Sequence, residues 1–437
     1  MDTGDTAWML ASTALVMLMV PGLAFFYGGM VRAKSVLNIM MMVLYSLAIM
    51  PVVWFLWGYS GAFGDDIGGG LIGGGESLGL KNLTFESLSG THPTYIFVVF
   101  QMLFCVITIG LVAGAIADRA RFVAWMVFVP IWVSFVYVPI AHWVFAFDGD
   151  TTQGGWIAND LGAFDFAGGT AVEVTSGMSA LALAVIVGRR VGWRKEPFRP
   201  HNLPAVMLGA GLLWFGWYGF NAGSALAANG TASVVWVNTM VATAAAILGW
   251  LLIDVIKQRH ATTLGAASGA VAGLVAITPA CAFISPIGAI IVGLVAGALC
   301  ALAVSLKYRF NFDDSLDVVA VHLVGGVIGT LMIGLLATET FTGDAALEGL
   351  FYGGGIELLG NQAVAAGATI VYSFVIAYIL GILIHRTVGF RVSEDAEVGG
   401  IDLSVHVEAG YEFTPAAGPS SSHAAVSAAA KERSVQA

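Results

Sequence analysis

The chain has 437 residues, 58% hydrophobic and only 11% charged, with a net charge of -10. A soluble domain carries about a quarter charged residues and a nucleic-acid surface is basic, so both classes are excluded. Nearly uncharged windows of about 20 residues match the length an α-helix needs to cross roughly 30 Å of hydrocarbon, and they lack the alternation of a membrane-barrel strand.

In chain order the hydropathy predicts spans at Ala7 to Tyr27, Val36 to Trp57, Thr94 to Ala117, Phe122 to Val144 and Phe166 to Val187. A second set follows at Leu203 to Phe220, Ser233 to Ile256, Leu264 to Phe283, Ile287 to Leu306, Val318 to Leu335 and Gln362 to Leu383. The expected fold is an all-α polytopic membrane protein of eleven transmembrane helices. An odd count puts the chain ends on opposite faces. Of the 18 basic residues only Lys81 falls in a segment assigned outside, which sets the N-terminus outside and the tail in the cytosol of a multi-pass cell-membrane (plasma or inner) protein. The opening Met1-Asp2-Thr3-Gly4-Asp5 lacks the basic stretch of a signal peptide, so the first span is expected to be retained. Gly58 to Pro93 reads as an external glycine-rich loop. The expected domains are a membrane domain over 1–386, a cytosolic region over 387–413 and a disordered tail over 414–437.

Gly265-x-x-x-Gly269-x-x-x-Gly273, Gly293-x-x-x-Gly297 and Gly325-x-x-x-Gly329 are small-residue patterns that let helices touch. Cys105, Cys281 and Cys300 sit in apolar runs and read as packing residues, with neither a disulfide framework nor a metal site expected.

Ionisable groups deep in a span are functional candidates by default, and two qualify: Glu173 and His322. Asp165 precedes Glu173 by eight residues and Asp314 precedes His322 by eight, so spans five and ten are expected counterparts in an inverted repeat of helices 1–5 and 6–10, with helix 11 outside it. Eight residues at 1.5 Å each is about 12 Å, measured from opposite faces, which brings both groups near the midplane and within reach of a shared hydrogen bond. A structural ion pair is the alternative. Asp165 is either an N-cap or part of a cation site. Phe104, Phe145, Trp217 and Phe220 fit packing or an interfacial belt. Asn221 and Ser224 fit a helix-end cap, and His142 a structural role.

The ordered motifs Phe100-Gln101-Met102-Leu103-Phe104, Gly114 to Arg119, Asp165-Phe166-Ala167-Gly168-Gly169-Thr170, Gly219 to Ser224, Thr278-Pro279-Ala280-Cys281 and Asp313 through His322 run the length of the chain. With the tail segments Gly389 to Ser393 and Glu408 to Glu412, the chain resembles the ammonium transporters of the Amt/Mep/Rh group, in its bacterial Amt branch. The resemblance implies a homotrimer with one path per subunit, ammonium or ammonia (and methylammonium) as substrate, no cofactor, no enzymatic activity, and a PII-type signalling protein as a cytosolic partner. It implies that Phe104, Ser224, Asp165, Trp217 and Phe145 serve the outer cation site, that Phe104 and Phe220 gate the pore, and that Glu173 and His322 line it. Two positions depart from the family pattern. Phe145 stands where the family has a vestibule tryptophan, and Glu173 stands at the first of the paired pore histidines, where fungal members also carry an acid.

The expected function is ammonium uptake: the cation is recruited outside, deprotonated, and crosses as ammonia while Glu173 and His322 handle the proton, since an unpaired ion in apolar surroundings is very costly. One alternative is an ammonium sensor of the same fold. An intramembrane hydrolase built on Ser268 and His322 is another, and it satisfies few of the roles such a site needs.

Overall fold

Four of the helices begin at a side chain that accepts an N–H group that the first turn leaves unpaired. Asp2 caps the first helix through Asp5 N–H at 2.9 Å, Asn202 caps the sixth through Ala205, Asn229 the seventh through Ala232, and Thr262 the eighth through Gly265. The computed structural model describes residues 1–150, 152–343 and 347–411. The expected disordered tail at 414–437 lies outside the described residues.

Among the described residues ten helices are long and apolar enough to cross a membrane: α1 (Thr3–Met30), α2 (Ala33–Phe63), α3 (Thr94–Ile116), α4 (Phe122–Phe145), α5 (Gly169–Val187), α6 (Leu203–Gly223), α7 (Gly230–Gln258), α9 (Pro286–Phe310), α10 (Val319–Leu336) and α11 (Glu357–Thr387). Between α7 and α9 lies an apolar helix of only 15 residues, α8 (Thr263–Ile277). The span expected over Leu264 to Phe283 is thus corrected at its end. The helix ends at Ile277 with Thr278, still in helical geometry, as its cap, and Pro279, which cannot donate to a helix, offers its carbonyl to Phe166 N–H at 3.1 Å. Irregular backbone at this depth is tolerated because it is buried in protein: Thr278, Ala280 and Cys281 are fully buried.

Glycine sets the helix spacing. A Cβ on Gly293 would lie 2.1 Å from the Ala242 carbonyl, and one on Gly297 2.1 Å from that of Ala246, so α7 and α9 meet backbone to backbone. Gly209 on α6 presses on Phe26 of α1 in the same way, with a Cβ there only 2.3 Å from the Phe26 nitrogen. These are the contacts that the small-residue patterns call for.

The face that carries the C-terminal segment is held by buried ions. Arg190 clasps Asp313 with two bonds, Nε to Oδ2 at 2.9 Å and Nη2 to Oδ1 at 2.7 Å, and reaches Asp118 at 3.4 Å. Arg119, fully buried, donates to the carbonyls of Gly188, Ala117 and Asp313 and to Ser315. Burial pushes its guanidinium down to about 10 despite the neighbouring carboxylates. Asp402 turns back to accept the N–H groups of Leu37 and Asn38 at 2.9 and 2.8 Å, and Glu397 takes Arg391 and Val191 N–H. Arg32 and Lys34, which mark topology in the sequence, donate to the carbonyls of Glu397 and Val398 and so also fasten the tail segment to the bundle.

Because the α7–α9 crossing has no room for a side chain, Gly297→Ala is expected to destabilise the solubilised protein by about 1–3 kcal/mol, the usual cost of overpacking. Thermal unfolding in detergent reads this directly, and an unchanged midpoint contradicts the close-contact account.

Candidate functional site

The first turn of α5 is organised by one carboxylate. Asp165 Oδ1 accepts the N–H groups of Gly168 and Gly169 at 2.7 and 2.6 Å; Oδ2 accepts Thr170 N–H at 2.7 Å, its hydroxyl at 2.5 Å and Ala171 N–H at 3.3 Å. Gly168 must take φ +115° to bring these donors around, a conformation a side chain would strain. Of the two readings of Asp165, the cap is the one the geometry displays. Its oxygens are occupied by protein donors, and any influence on a bound cation passes through its charge.

The cap starts a helix that opens as a π-turn, Gly169–Val174, and a second π-turn, Val319–Leu323, opens α10. Such turns recur at functional sites because they re-aim a side chain. The register matches closely. Asp165 bonds Thr170 N–H and Asp314 bonds Val319 N–H, each five residues on, and Gly168 and Asp317, each three residues on, both have positive φ (+115° and +62°). The helices cross antiparallel: a Cβ on Gly326 would approach the Gly169 carbonyl at 2.9 Å, while one on Gly177 would approach Leu323 N at 2.5 Å.

At the crossing Glu173 Oε2 and His322 Nδ1 share a hydrogen bond of 2.6 Å. Glu173 is 0% and His322 3% exposed, and the second carboxylate oxygen, Oε1, is buried without a partner. The groups that the eight-residue spacing brings to the midplane are in contact. A proton can sit on either partner of such a bond.

Towards the end of α6 remote from the C-terminal segment, Phe104 and Phe220 stack with centroids 3.9 Å apart and planes within 10°. Phe145 meets Phe104 edge-on at 6.3 Å and is half-buried. Ser224 ends α6; its hydroxyl donates to the Phe220 carbonyl at 2.8 Å, which leaves the oxygen lone pairs to accept from another donor. Trp217 lies beside Phe220 at 5.5 Å, but its N–H is committed to Thr278 Oγ1 at 2.8 Å, so only its ring can meet a ligand.

Asn221 corrects the reading of a helix-end cap. It is fully buried, bonds Thr239 at 3.0 Å through its amide N–H, and accepts from the Thr278 hydroxyl at 3.2 Å, tying α6, α7 and the break after α8 into one network. His142 sits between the Ala62 carbonyl (3.0 Å) and Asp66 (3.2 Å) and fastens the Gly58–Pro93 segment to α4. No hydrogen bond joins Ser268 to His322 among the described residues. Sequence reasoning passed over Arg119, Arg190 and Asp313 as a buried cluster, although Asp118-Arg119 and Asp313-Asp314, charged pairs at the ends of apolar spans, carried the signal.

An apolar helix bundle with a buried acid–imidazole pair at the crossing of two repeat-related helices defines a polytopic membrane protein with a buried polar site. A family model described as the Ammonium Transporter Family matches residues 7–411. An ammonium transporter of Mycobacterium tuberculosis (strain ATCC 25618 / H37Rv) is 54% identical over 438 residues, covering 95% of this chain and 92% of that one. Among solved structures, Candida albicans Mep2 aligns with a TM-score of 0.83 at 33% identity (96% of this chain, 95% of that chain). A protein described as Sensor Amt Protein aligns at 0.84 and 29% identity (92% and 98%). The chain belongs to the ammonium transporter family.

Asp165 supplies acceptors for four N–H groups and a hydroxyl, so Asp165→Ala is expected to cost more stability than Asp165→Asn, by about 1–2 kcal/mol, since asparagine still caps. Chemical unfolding of the two variants checks the order, and equal losses would show that the cap is not what holds this turn.

Proposed function

We propose that this chain takes up ammonium across the cell membrane, recruiting the cation at the Phe104–Phe145–Ser224 end, removing its proton, and passing ammonia along the helix crossing while Glu173 and His322 hold or relay the proton. The observation that carries the reading is the 2.6 Å Glu173–His322 bond in a buried interior, with Oε1 unpartnered beside it. Ammonium in apolar surroundings is very costly, and neutral ammonia avoids most of that cost. The pair gives the proton a place to be while its carrier crosses.

The outer end fits cation recruitment. The faces of Phe104 and Phe145 attract a cation through their quadrupoles, and the Ser224 oxygen can accept one of its N–H bonds. The stacked Phe104–Phe220 rings close the way beneath, so the substrate passes only when they separate. On this reading residues 1–386 carry the path and residues 387–411 dock beneath it, on the side that the basic-residue pattern favours as cytosolic, where a PII-type partner would meet them. Family membership supports assembly as a homotrimer and use of methylammonium. A second reading, ammonium sensing, is favoured by the likeness to the protein described as a sensor and by the hydrogen-bonded attachment of residues 387–411 to the bundle, through Asp402 to Leu37 and Asn38 N–H and Glu397 to Val191 N–H.

Glu173→Gln removes the titrating carboxylate yet keeps an acceptor for His322, so the charge moved by an ammonium pulse on proteoliposomes is expected to fall by a factor on the order of 100, the low end of acid–base contributions. Native-sized currents would refute proton handling by the pair. Phe145→Trp, which installs a stronger cation–π face, is expected to tighten half-saturation by about 2–5-fold, corresponding to about 0.5–1 kcal/mol; a concentration series of the same currents reads it, and weaker binding would place Phe145 away from the cation.

A further inference from the structure

The two repeats put a carboxylate at the same place and satisfy it unequally. Asp165 has its five donors. Asp314 has Oδ2 bonded to Val319 N–H at 2.8 Å, while Oδ1 is buried with no partner on a residue only 1% exposed. Two differences are visible: the hydroxyl that Thr170 gives to Oδ2 in the first repeat is a methyl group of Val319 in the second, and the bonds that Gly168 and Gly169 N–H make to Asp165 Oδ1 have no counterpart at Asp314 Oδ1. A buried carboxylate oxygen left unpaired is expensive and calls for a reason.

What surrounds it supplies one. Asp314, Lys307, Asp317 and Ala320 line a cavity of about 10 Å³, room for one water. That cavity shares Val304, Lys307 and Asp317 with a recess of about 610 Å³ on the face of the C-terminal segment. Lys307 Nζ donates to Asp317 Oδ1 at 2.6 Å and to the Asp314 carbonyl at 3.2 Å. Burial and the Asp317 charge push the Asp314 carboxyl up, against the pull of Lys307 and the backbone donors.

We propose that Asp314 is the inner proton port of the path: its free Oδ1 takes the proton that leaves the Glu173–His322 pair and releases it to the aqueous recess. The inference rests on the proton-handling reading of that pair. The proton arrives through water across the roughly 12 Å of eight helical residues, forming a carboxylic O–H as His322 returns to neutral imidazole. It then leaves to water beside Lys307 and Asp317 and regenerates the carboxylate; no electrons move. Asp165, saturated with donors, cannot do this, so the two repeats are alike in fold and different in use.

The test is the ammonium-pulse current of the full chain in proteoliposomes, as a function of pH on the C-terminal side, for the native chain, Asp314→Asn, Val319→Thr and Glu173→Gln. Asparagine keeps the cap but cannot carry a proton, so Asp314→Asn is expected to lose current by tenfold or more, with no response to inner pH. Val319→Thr is isosteric and supplies the missing hydroxyl; it is expected to stay active while its inner-pH response moves to lower pH, because a donor to the carboxylate favours the ionised form. Native currents and pH response in Asp314→Asn overturn the port while leaving a Glu173→Gln loss to stand for the pair. If Glu173→Gln is itself native, the underlying reading fails first. Should Asp314→Asn not fold, an unshifted pH response in Val319→Thr overturns the proposal alone.

Discussion

A carboxylate and an imidazole joined at 2.6 Å with almost no exposure is the constraint around which the molecule is arranged. Two such groups taken out of water are tolerated only if their geometry is held tightly and their partners are fixed. The holding is done from outside the pair. Each helix that delivers one of them begins at an aspartate cap, opens as a π-turn and presents a glycine to the other: Gly326 admits the Gly169–Val174 turn and Gly177 admits Leu323. A side chain at either glycine would drive α5 and α10 apart and break a bond whose length leaves little slack.

The inverted repeat is therefore more than a way to build a bundle from half a sequence. It puts equivalent positions face to face at the centre and lets their chemistry differ without disturbing the backbone that carries them. Glu173 opposes His322, Gly168 corresponds to Asp317, and Thr170 to Val319. In each case the main-chain geometry is shared, down to the positive φ at the third residue after the cap, while the side chain has changed. Glycine meets that φ by lacking a Cβ; aspartate is among the few other residues that tolerate it, and here it also supplies a carboxylate to Lys307.

Much of this was legible in the residues. Long uncharged runs gave the helices because hydrocarbon thickness fixes their length. The matched spacing of Asp165–Glu173 and Asp314–His322 gave the central contact, because helical rise converts a sequence offset into depth. What periodicity could not show is how apolar runs end inside protein: Pro279 stops α8 at 15 residues, in a stretch whose hydropathy continues unbroken to Phe283. Nor could it show tertiary partners. Asn221 reads as a helix-end residue and proves to be buried between α7 and the break after α8, and Arg119 and Arg190 read as topology markers and prove to be buried ties. Their partners lie tens to hundreds of residues away, where no local pattern reaches.

The acid at position 173 changes what the central pair can do, in a way simple charge counting makes plain. Two imidazoles facing each other are neutral together and become positive on gaining a proton. A carboxyl and an imidazole that share one proton are also neutral together, but they can give that proton up and become negative. On the proposed reading, a pair that has lost its proton attracts the next cation inward and is discharged by the proton that cation surrenders, so the resting interior alternates between neutral and negative. Low effective dielectric strengthens that attraction, and the same low dielectric prevents the negative state from persisting unpaired. The unsatisfied Glu173 Oε1 is the atom on which such a cycle turns, because Oε2 stays bound to His322 and keeps the helices together while the second oxygen is left free to take and release a proton.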